Sequence, residues 1–178
     1  MQEVIRDILA GNKNRFREIV NTYGDNLLRV AYHFARNWDD ARELTQITLV
    51  KCFENLRKYD QRRPFAPWLF KIHVNVCKSF VGKLRRSVSL SDSDSTSVTP
   101  AAPETKVDES EVILRQIARL PVKQKTAFIL IEIEGMSSTE AAFIMGCKDS
   151  TARVHLARAK DTLRQKLTEM GIGNDSIL

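Results

Sequence analysis

Long apolar runs are missing from this chain, and so are most of the residues from which small proteins build covalent or catalytic frameworks. No stretch reaches the length that spans a bilayer, and the opening MQEVIRDILAGNKNRF turns polar again almost at once, which argues against both a membrane span and a secretion leader. Cysteine is scarce: Cys52, Cys77 and Cys147 are an odd number, widely spaced and without a CxxC pair. That excludes a disulfide framework and fits a reducing, cytoplasmic setting. With only 7 glycines, the chain has no Gly-rich phosphate loop and no GxSxG turn; HExxH is also absent. The usual nucleotide, serine-hydrolase and zinc-protease chemistries therefore have no foothold, and neither an enzyme nor a cofactor is expected. Acidic residues are outnumbered, 22 Asp and Glu against 28 Lys and Arg, leaving a net charge of +6 that suits a polyanionic partner.

What is present is helical spacing, in a chain of 178 residues, long enough for one medium domain or two small ones. The fold class expected is all-α, with two small helical domains joined by a flexible linker. Residues 87–108, SVSLSDSDSTSVTPAAPETKVD, are dominated by Ser, Thr, Asp and Pro and carry too little apolar surface to offset their ordering entropy. They divide an N-terminal unit, 1–86, from a C-terminal unit, 109–170, with a tail at 171–178. In the first unit the spacing predicts helices over Lys13–Tyr23, Asp25–Arg36, Asp39–Arg57 and Phe65–Arg85, punctuated by Gly24, Asn37 and Pro64, with Asn37 or Asp39 as a cap. In the second it predicts Ser110–Leu120, Pro121–Glu134, Ser137–Met145 and Ser150–Met170. Pro121 suits a helix start, and Ser137 with Glu140 forms a capping box. The run TAFILIEIE has strand-like composition, but its helical flanks favour a buried helix.

The stretch GMSSTEAAFIMGCKDSTARVHLARAKDTLRQKL reads as a short helix, a glycine turn and a longer basic helix. On the second helix Ala152, Leu156, Ala159, Leu163 and Leu167 form one apolar stripe, while Arg153 and Arg158 project elsewhere. Ala141 and Ala142 let the two helices approach closely, as a helix-turn-helix requires. A major groove admits such a second helix, and Arg suits guanine edges and phosphates. A plain helical hairpin with a solvated basic face has the same pattern.

Two helices of the first unit are unusual. In Asp39–Arg57, Thr45, Leu49, Cys52, Phe53 and Leu56 read as the core face, and Leu44 and Ile47 as apolar groups among charges on the opposite side. That mixture fits a partner-docking surface, or packing on both sides. In Phe65–Arg85 the core face reads as Phe65, Leu69, Ile72, His73, Val76, Phe80 and Leu84, with Trp68, Lys71, Asn75 and Lys78 together on another. From Arg57 to Arg86 nine Lys and Arg face one acid, Asp60. An aromatic among cations and an amide suits single-stranded nucleic acid, which needs a stacking platform and phosphate neutralisation; a solubilising face with a half-buried Trp is the plainer alternative. His73 and Cys77, four apart, have the spacing of two metal ligands, but they lie on the core side without a second pair, so packing is the better reading and no metal is expected.

Three segments together resemble the extracytoplasmic-function type of sigma factor within the sigma-70 superfamily of RNA polymerase subunits. DDARELTQITLVKCFENLRKYD is similar to the family's core-polymerase-binding helix. RRPFAPWLFKIHVNVCKSFVGKLRR is similar to its promoter-melting and −10-reading segment. IARLPVKQKTAFILIEIEGMSSTEAAFIMGCKDSTARVHLARAKDTLRQKL resembles its −35-reading domain. The resemblance implies a non-catalytic factor that binds core RNA polymerase, at the clamp helices of the largest subunit and the flap, and lends it promoter specificity. It implies core-polymerase contacts at Asp40, Glu43, Leu44, Gln46 and Ile47. Capture of a flipped −10 base falls to Arg62, Arg63, Phe65 and Ala66, and the hold on the opened strand to Trp68, Lys71, Asn75 and Lys78. Contacts with the −35 duplex fall to Ser150, Thr151, Arg153, Val154, His155 and Arg158. It further implies a cytoplasmic location, promoter DNA as ligand and an anti-sigma factor as inhibitor. Departures stand at Ile47, where Glu is usual, at Lys148, where a capping Ser is common, and at Ala152 and His155, which replace a usual Val and Arg. His155 would make −35 binding pH-sensitive if it titrates near neutrality. The competing function is a stand-alone helix-turn-helix regulator with an N-terminal sensor domain.

Overall fold

A computed structural model describes residues 1–91 and 109–172; the expectation of a flexible linker falls largely outside them. The described residues form eight α-helices and no strand. They are α1 (Gln2–Leu9), α2 (Phe16–Ala35), α3 (Trp38–Asn55), α4 (Phe65–Ser91), α5 (Glu109–Arg119), α6 (Val122–Phe128), α7 (Ser138–Met145) and α8 (Asp149–Glu169). None of them is long and apolar enough to cross a membrane. Helix α4 runs on to Ser91, past the composition break at 87.

Helix α1 is an addition to the expected set. It buries Val4, Ile5 and Ile8, and Arg15 ties it down through Asp7 while also bonding Glu18 at 2.7 Å. Two expected helices are one: α2 passes through Gly24 unbroken. A mid-helix Gly costs about 1 kcal/mol relative to Ala, and burial of Ile19, Leu27, Val30, Ala31 and Phe34 offsets it. The helix stops at Arg36, which adopts a left-handed backbone (φ 58°) with its N–H bonded to the Tyr32 carbonyl. Asn37 then caps α3, its Oδ1 accepting from the Asp39 and Asp40 N–H groups at 2.7 and 3.1 Å.

The buried stripe of α3 is Ala41, Leu44, Thr48 and Cys52, continued by Leu56, rather than the Thr45, Leu49 and Phe53 side that hydrophobicity alone favours. Thr48 decides the rotation: its hydroxyl is satisfied in the core, so a polar residue sits at the centre of the buried face. Phe53 stays exposed, edge-on to Phe16 with ring centroids 5.2 Å apart. Helix α4 is buried on two sides. Phe65, Leu69, His73, Val76 and Cys77 lie in the core, but so do Phe70 and Val74, while Leu84 is exposed. The second buried side exists because α4 packs against α7 of the C-terminal unit as well as against α2 and α3.

The two units thus share one core: Ile129, Leu130, Ala141 and Ile144 join the cluster of α1 to α4. A smaller cluster of Ile117, Leu120, Phe128, Ala159 and Leu163 holds α5, α6 and α8 together. Residues 129–133 form a π-helical turn after α6, marked by the Glu134 N–H bonding the Ile129 carbonyl at 2.9 Å.

Candidate functional site

Three surfaces carry the expected residues. The first is α3. Glu43 and Gln46 are exposed, and Asp40 and Ile47 half-buried, along one side of the helix. Leu44, 4% exposed, belongs to the core stripe and reaches the surface only as part of the floor of the groove beside α4. The open side of α3 meets α4 across a groove of about 540 Å³, floored by Leu44, Ile47, Trp68 and Ile72 and edged by Lys58 and Lys83.

The second surface begins at the loop between α3 and α4. The turn Leu56–Lys58 leads into Tyr59, whose hydroxyl donates to the Arg63 carbonyl and closes the loop on itself. Asp60 accepts from the Arg62 guanidinium at 2.9 and 3.1 Å and from the Arg62 N–H at 3.1 Å. These bonds hold the Asp60 carboxyl below the usual carboxylate range. Phe65 is buried, centred 5.2 Å from Tyr59, 5.5 Å from Trp68 and 5.7 Å from Tyr23. It props the loop from beneath, and what the loop exposes is Arg62 and Arg63, with Ala66 half-buried. Further along α4 the expected quartet occupies one sector with two edges. Trp68 and Asn75 line the groove shared with α3. Lys71 and Lys78 turn toward the C-terminal unit: the Lys71 Nζ lies 4.6 Å from the Phe143 ring centre, and burial pushes the Lys78 ammonium below its ordinary value.

The third surface is the α7–α8 pair. Ser137 caps α7 with a reciprocal box: its Oγ accepts from the Glu140 N–H, and the Glu140 carboxylate accepts from the Ser137 N–H at 3.0 Å. Gly146, at φ 68°, ends α7 in the left-handed region where a side chain is strained. Lys148, where a capping Ser is common in the family the chain resembles, stands at the N-cap of α8 without a side-chain cap bond. The nearby Ser138 hydroxyl and Arg153, whose Nε bonds the carboxylate at 2.7 Å, hold the Asp149 carboxyl below its usual range. Ala152, Ala159, Leu163 and Leu167 are buried, with Leu156 half-buried against them. That leaves Ser150, Thr151, Arg153, Val154 and Arg158 outward and exposed. His155 is half-buried, and burial together with Lys123 and Arg158 lowers its titration below the ordinary imidazole value.

His73 and Cys77 are packing, as their side of α4 predicted. Both His73 ring nitrogens are engaged, Nε2 with the Leu27 carbonyl at 2.8 Å and Nδ1 with the Thr48 hydroxyl at 2.8 Å. No group of three potential metal ligands exists among the described residues.

Sequence reasoning missed Phe143 altogether, because one aromatic in a short helix carries no signal of where it points. Lys58 and Lys83 belong to the counted run of cations, but nothing in their spacing marks them as neighbours of Trp68.

Residues 19–87 match the family described as Sigma-70 region 2, and residues 110–163 match Sigma-70, region 4. Among curated relatives, the ECF RNA polymerase sigma factor SigW of Bacillus subtilis is 23% identical over 93% of this chain and 96% of its own. Among solved structures, the sigma factor RpoE of Bartonella quintana, in complex with the anti-sigma factor NepR, is 28% identical with a TM-score of 0.70, covering 86% of this chain and 96% of that one. CnrH, in complex with the cytosolic domain of CnrY, shares the fold at a TM-score of 0.74 and 24% identity, over 94% of this chain and 97% of its own.

Proposed function

Because this chain belongs to the sigma-70 family, in its extracytoplasmic-function branch, we propose that it works as an alternative sigma factor, a non-catalytic subunit that joins core RNA polymerase and selects promoters through their −10 and −35 elements. The observation that carries this reading is the pairing of two nucleic-acid surfaces on one chain. Helix α8 offers Arg153 and Arg158 on a face that its own packing leaves free, and α4 offers Trp68 beside Asn75 in a lysine-edged groove. One suits a duplex, the other a separated strand.

The division of labour follows the surfaces. The outer side of α3, with Asp40, Glu43, Gln46 and Ile47, meets the clamp helices of the largest polymerase subunit, and the C-terminal unit lies toward the flap. The loop bearing Arg62 and Arg63 receives the base unstacked from the −10 element, with Phe65 and Ala66 shaping its floor. Unstacking costs a few kcal/mol, which ring contacts and phosphate neutralisation by Lys71 and Lys78 offset. Thr151, Arg153, Val154 and Arg158 enter the −35 major groove, with Ser150 at the backbone and His155 as a neighbour. The setting is the cytoplasm, consistent with Cys52, Cys77 and Cys147 all being free thiols. An anti-sigma factor is the expected inhibitor, as for the RpoE relative solved with NepR. The rival reading, a regulator with a sensor domain, needs an enclosed ligand pocket in the first unit, whereas the space between α3 and α4 is an open groove. A pull-down with core polymerase followed by run-off transcription tests the proposal. Binding with a shift in start site supports it, and failure of either step overturns it.

A further inference from the structure

We propose that Phe143 is a built-in plug: in the free chain its ring fills the place beside Arg63 that an unstacked −10 base takes during promoter opening, so the chain masks its own strand-binding face. The inference rests on the sigma-factor reading and adds a control that operates before polymerase or any inhibitor arrives.

The position of the ring is the first argument. A cleft of about 260 Å³ is lined by Lys58, Tyr59, Asp60, Arg63 and Trp68, and Phe143 from α7 closes it. The ring lies between two cations, with the Lys71 Nζ 4.6 Å and the Arg63 Cζ 5.9 Å from its centre. A flat π face held between cations beside an indole is the environment a flipped base needs. Phe143 supplies such a face from inside the chain.

The second argument is that α7 does not need Phe143 for its own folding. Its buried residues are Ala141, Ala142 and Ile144, while Phe143 is half-buried and packs on the N-terminal core. Ala141 and Ile144 already anchor α7 in the core shared with α1 to α4, so the helix stays seated whether or not position 143 carries a ring. The third argument is what the contact hides. Lys71 and Lys78, two of the four residues assigned to the opened strand, face α7 and are half-buried.

The docked arrangement is held by the shared core of Ile129, Leu130, Ala141 and Ile144 and, at its edge, by ties remote from the ring. Arg36 Nη2 bonds Glu111 at 2.7 Å, and Asn26 bonds Glu134 at 2.7 Å with Arg29 nearby at 3.6 Å. Both ties run from α2 to the C-terminal unit. The ring's own hold is weaker than that of the core, because a cation–π contact at a half-exposed site is modest. The ring therefore delays strand binding and swings aside for a competing base, whose stacking on Trp68 outweighs a half-exposed cation–π contact.

The test measures binding of a fluorescent single-stranded DNA dodecamer of random sequence to the free full-length chain. Phe143→Ala should raise its affinity by about fivefold or more, because the fraction of chain with an open cleft rises. Affinity for a duplex of the same length should stay constant. Glu111→Ala, which loosens the remote tie, should act in the same direction relative to Glu109→Ala, a matched removal of an exposed acid. No rise for Phe143→Ala in a chain with unchanged helical signal and melting temperature overturns the plug. If that variant does not fold, a flat response to Glu111→Ala overturns it instead. Run-off transcription by the unaltered chain separates the two levels: a chain that redirects initiation but shows no unmasking loses only the plug, while one that fails to redirect loses the sigma-factor reading too.

Discussion

Thr48 Oγ1 lies 2.8 Å from His73 Nδ1, joining α3 to α4 inside the core, and the same hydroxyl lies 2.7 Å from the Leu44 carbonyl. Nε2 of the same ring faces the Leu27 carbonyl, which only accepts, so Nε2 carries the proton, and the single Thr48 hydroxyl proton is shared between Nδ1 and the Leu44 carbonyl. Three helices are thus fastened by one neutral imidazole. Thr48→Ala leaves Nδ1 buried without a donor and should cost about 1–3 kcal/mol in urea unfolding, more than the same change at the solvent-facing Thr151.

Acid should loosen the same fastening. Burial lowers the folded-state pKa of His73 from 6.5 to about 4, and that of His33 likewise to about 4. The unfolded chain therefore binds protons that the folded chain refuses. Stability is fully present above pH 6.5 and falls as pH drops toward 4, with His73 accounting for about 3 kcal/mol over the whole window. Denaturant midpoints taken at pH 7 and 5.5 should fall with acid in the native chain and fall less in His73→Gln, which keeps a donor and an acceptor.

On α8, Arg153→Ala should weaken duplex promoter binding by about tenfold if the guanidinium makes a bidentate base contact. Specificity should relax at one base-pair position. Lys160 is paired with Glu132 at 3.0 Å, away from the exposed start of the helix, so Lys160→Ala should leave that position's preference intact. His155 gives a second expectation in the same assay: since its titration is lowered, −35 affinity should stay level from pH 7 to 8 in both the native chain and His155→Ala.

Trp68→Ala should slow promoter opening more than it weakens the closed complex, because the indole belongs to the groove and the loop cleft rather than to the duplex-facing helix. Permanganate footprinting of the opened strand beside filter binding of the closed complex separates the two steps. Equal losses in both would remove the strand-holding assignment.

Much of this was legible in the chain itself. The α8 stripe, the Ser137–Glu140 box and the Asn37 cap follow from spacing, because each depends on residues a turn apart. The facing of α3 was not legible, since Thr48 is acceptable in a core only through His73, 25 positions further on. Gly24 read as a break because its local cost is visible and the burial that offsets it is not. The double burial of α4, and the turning of Lys71 and Lys78 toward α7, arise from docking between units that no periodicity within either unit encodes.

The π-helical turn at 129–133 sets a phase. One residue more than an α-turn advances everything after it by about 100° around the helix axis. That offset brings the Glu134 side chain, 1% exposed, onto Asn26 and Arg29 of α2. Deleting one residue between Ile129 and Ile133 would set Glu134 four positions after Ile129, the spacing of a regular α-turn, and so keep it facing α2. An added residue would instead carry Glu134 past α2, so the segment should tolerate a shortening by one better than a lengthening by one.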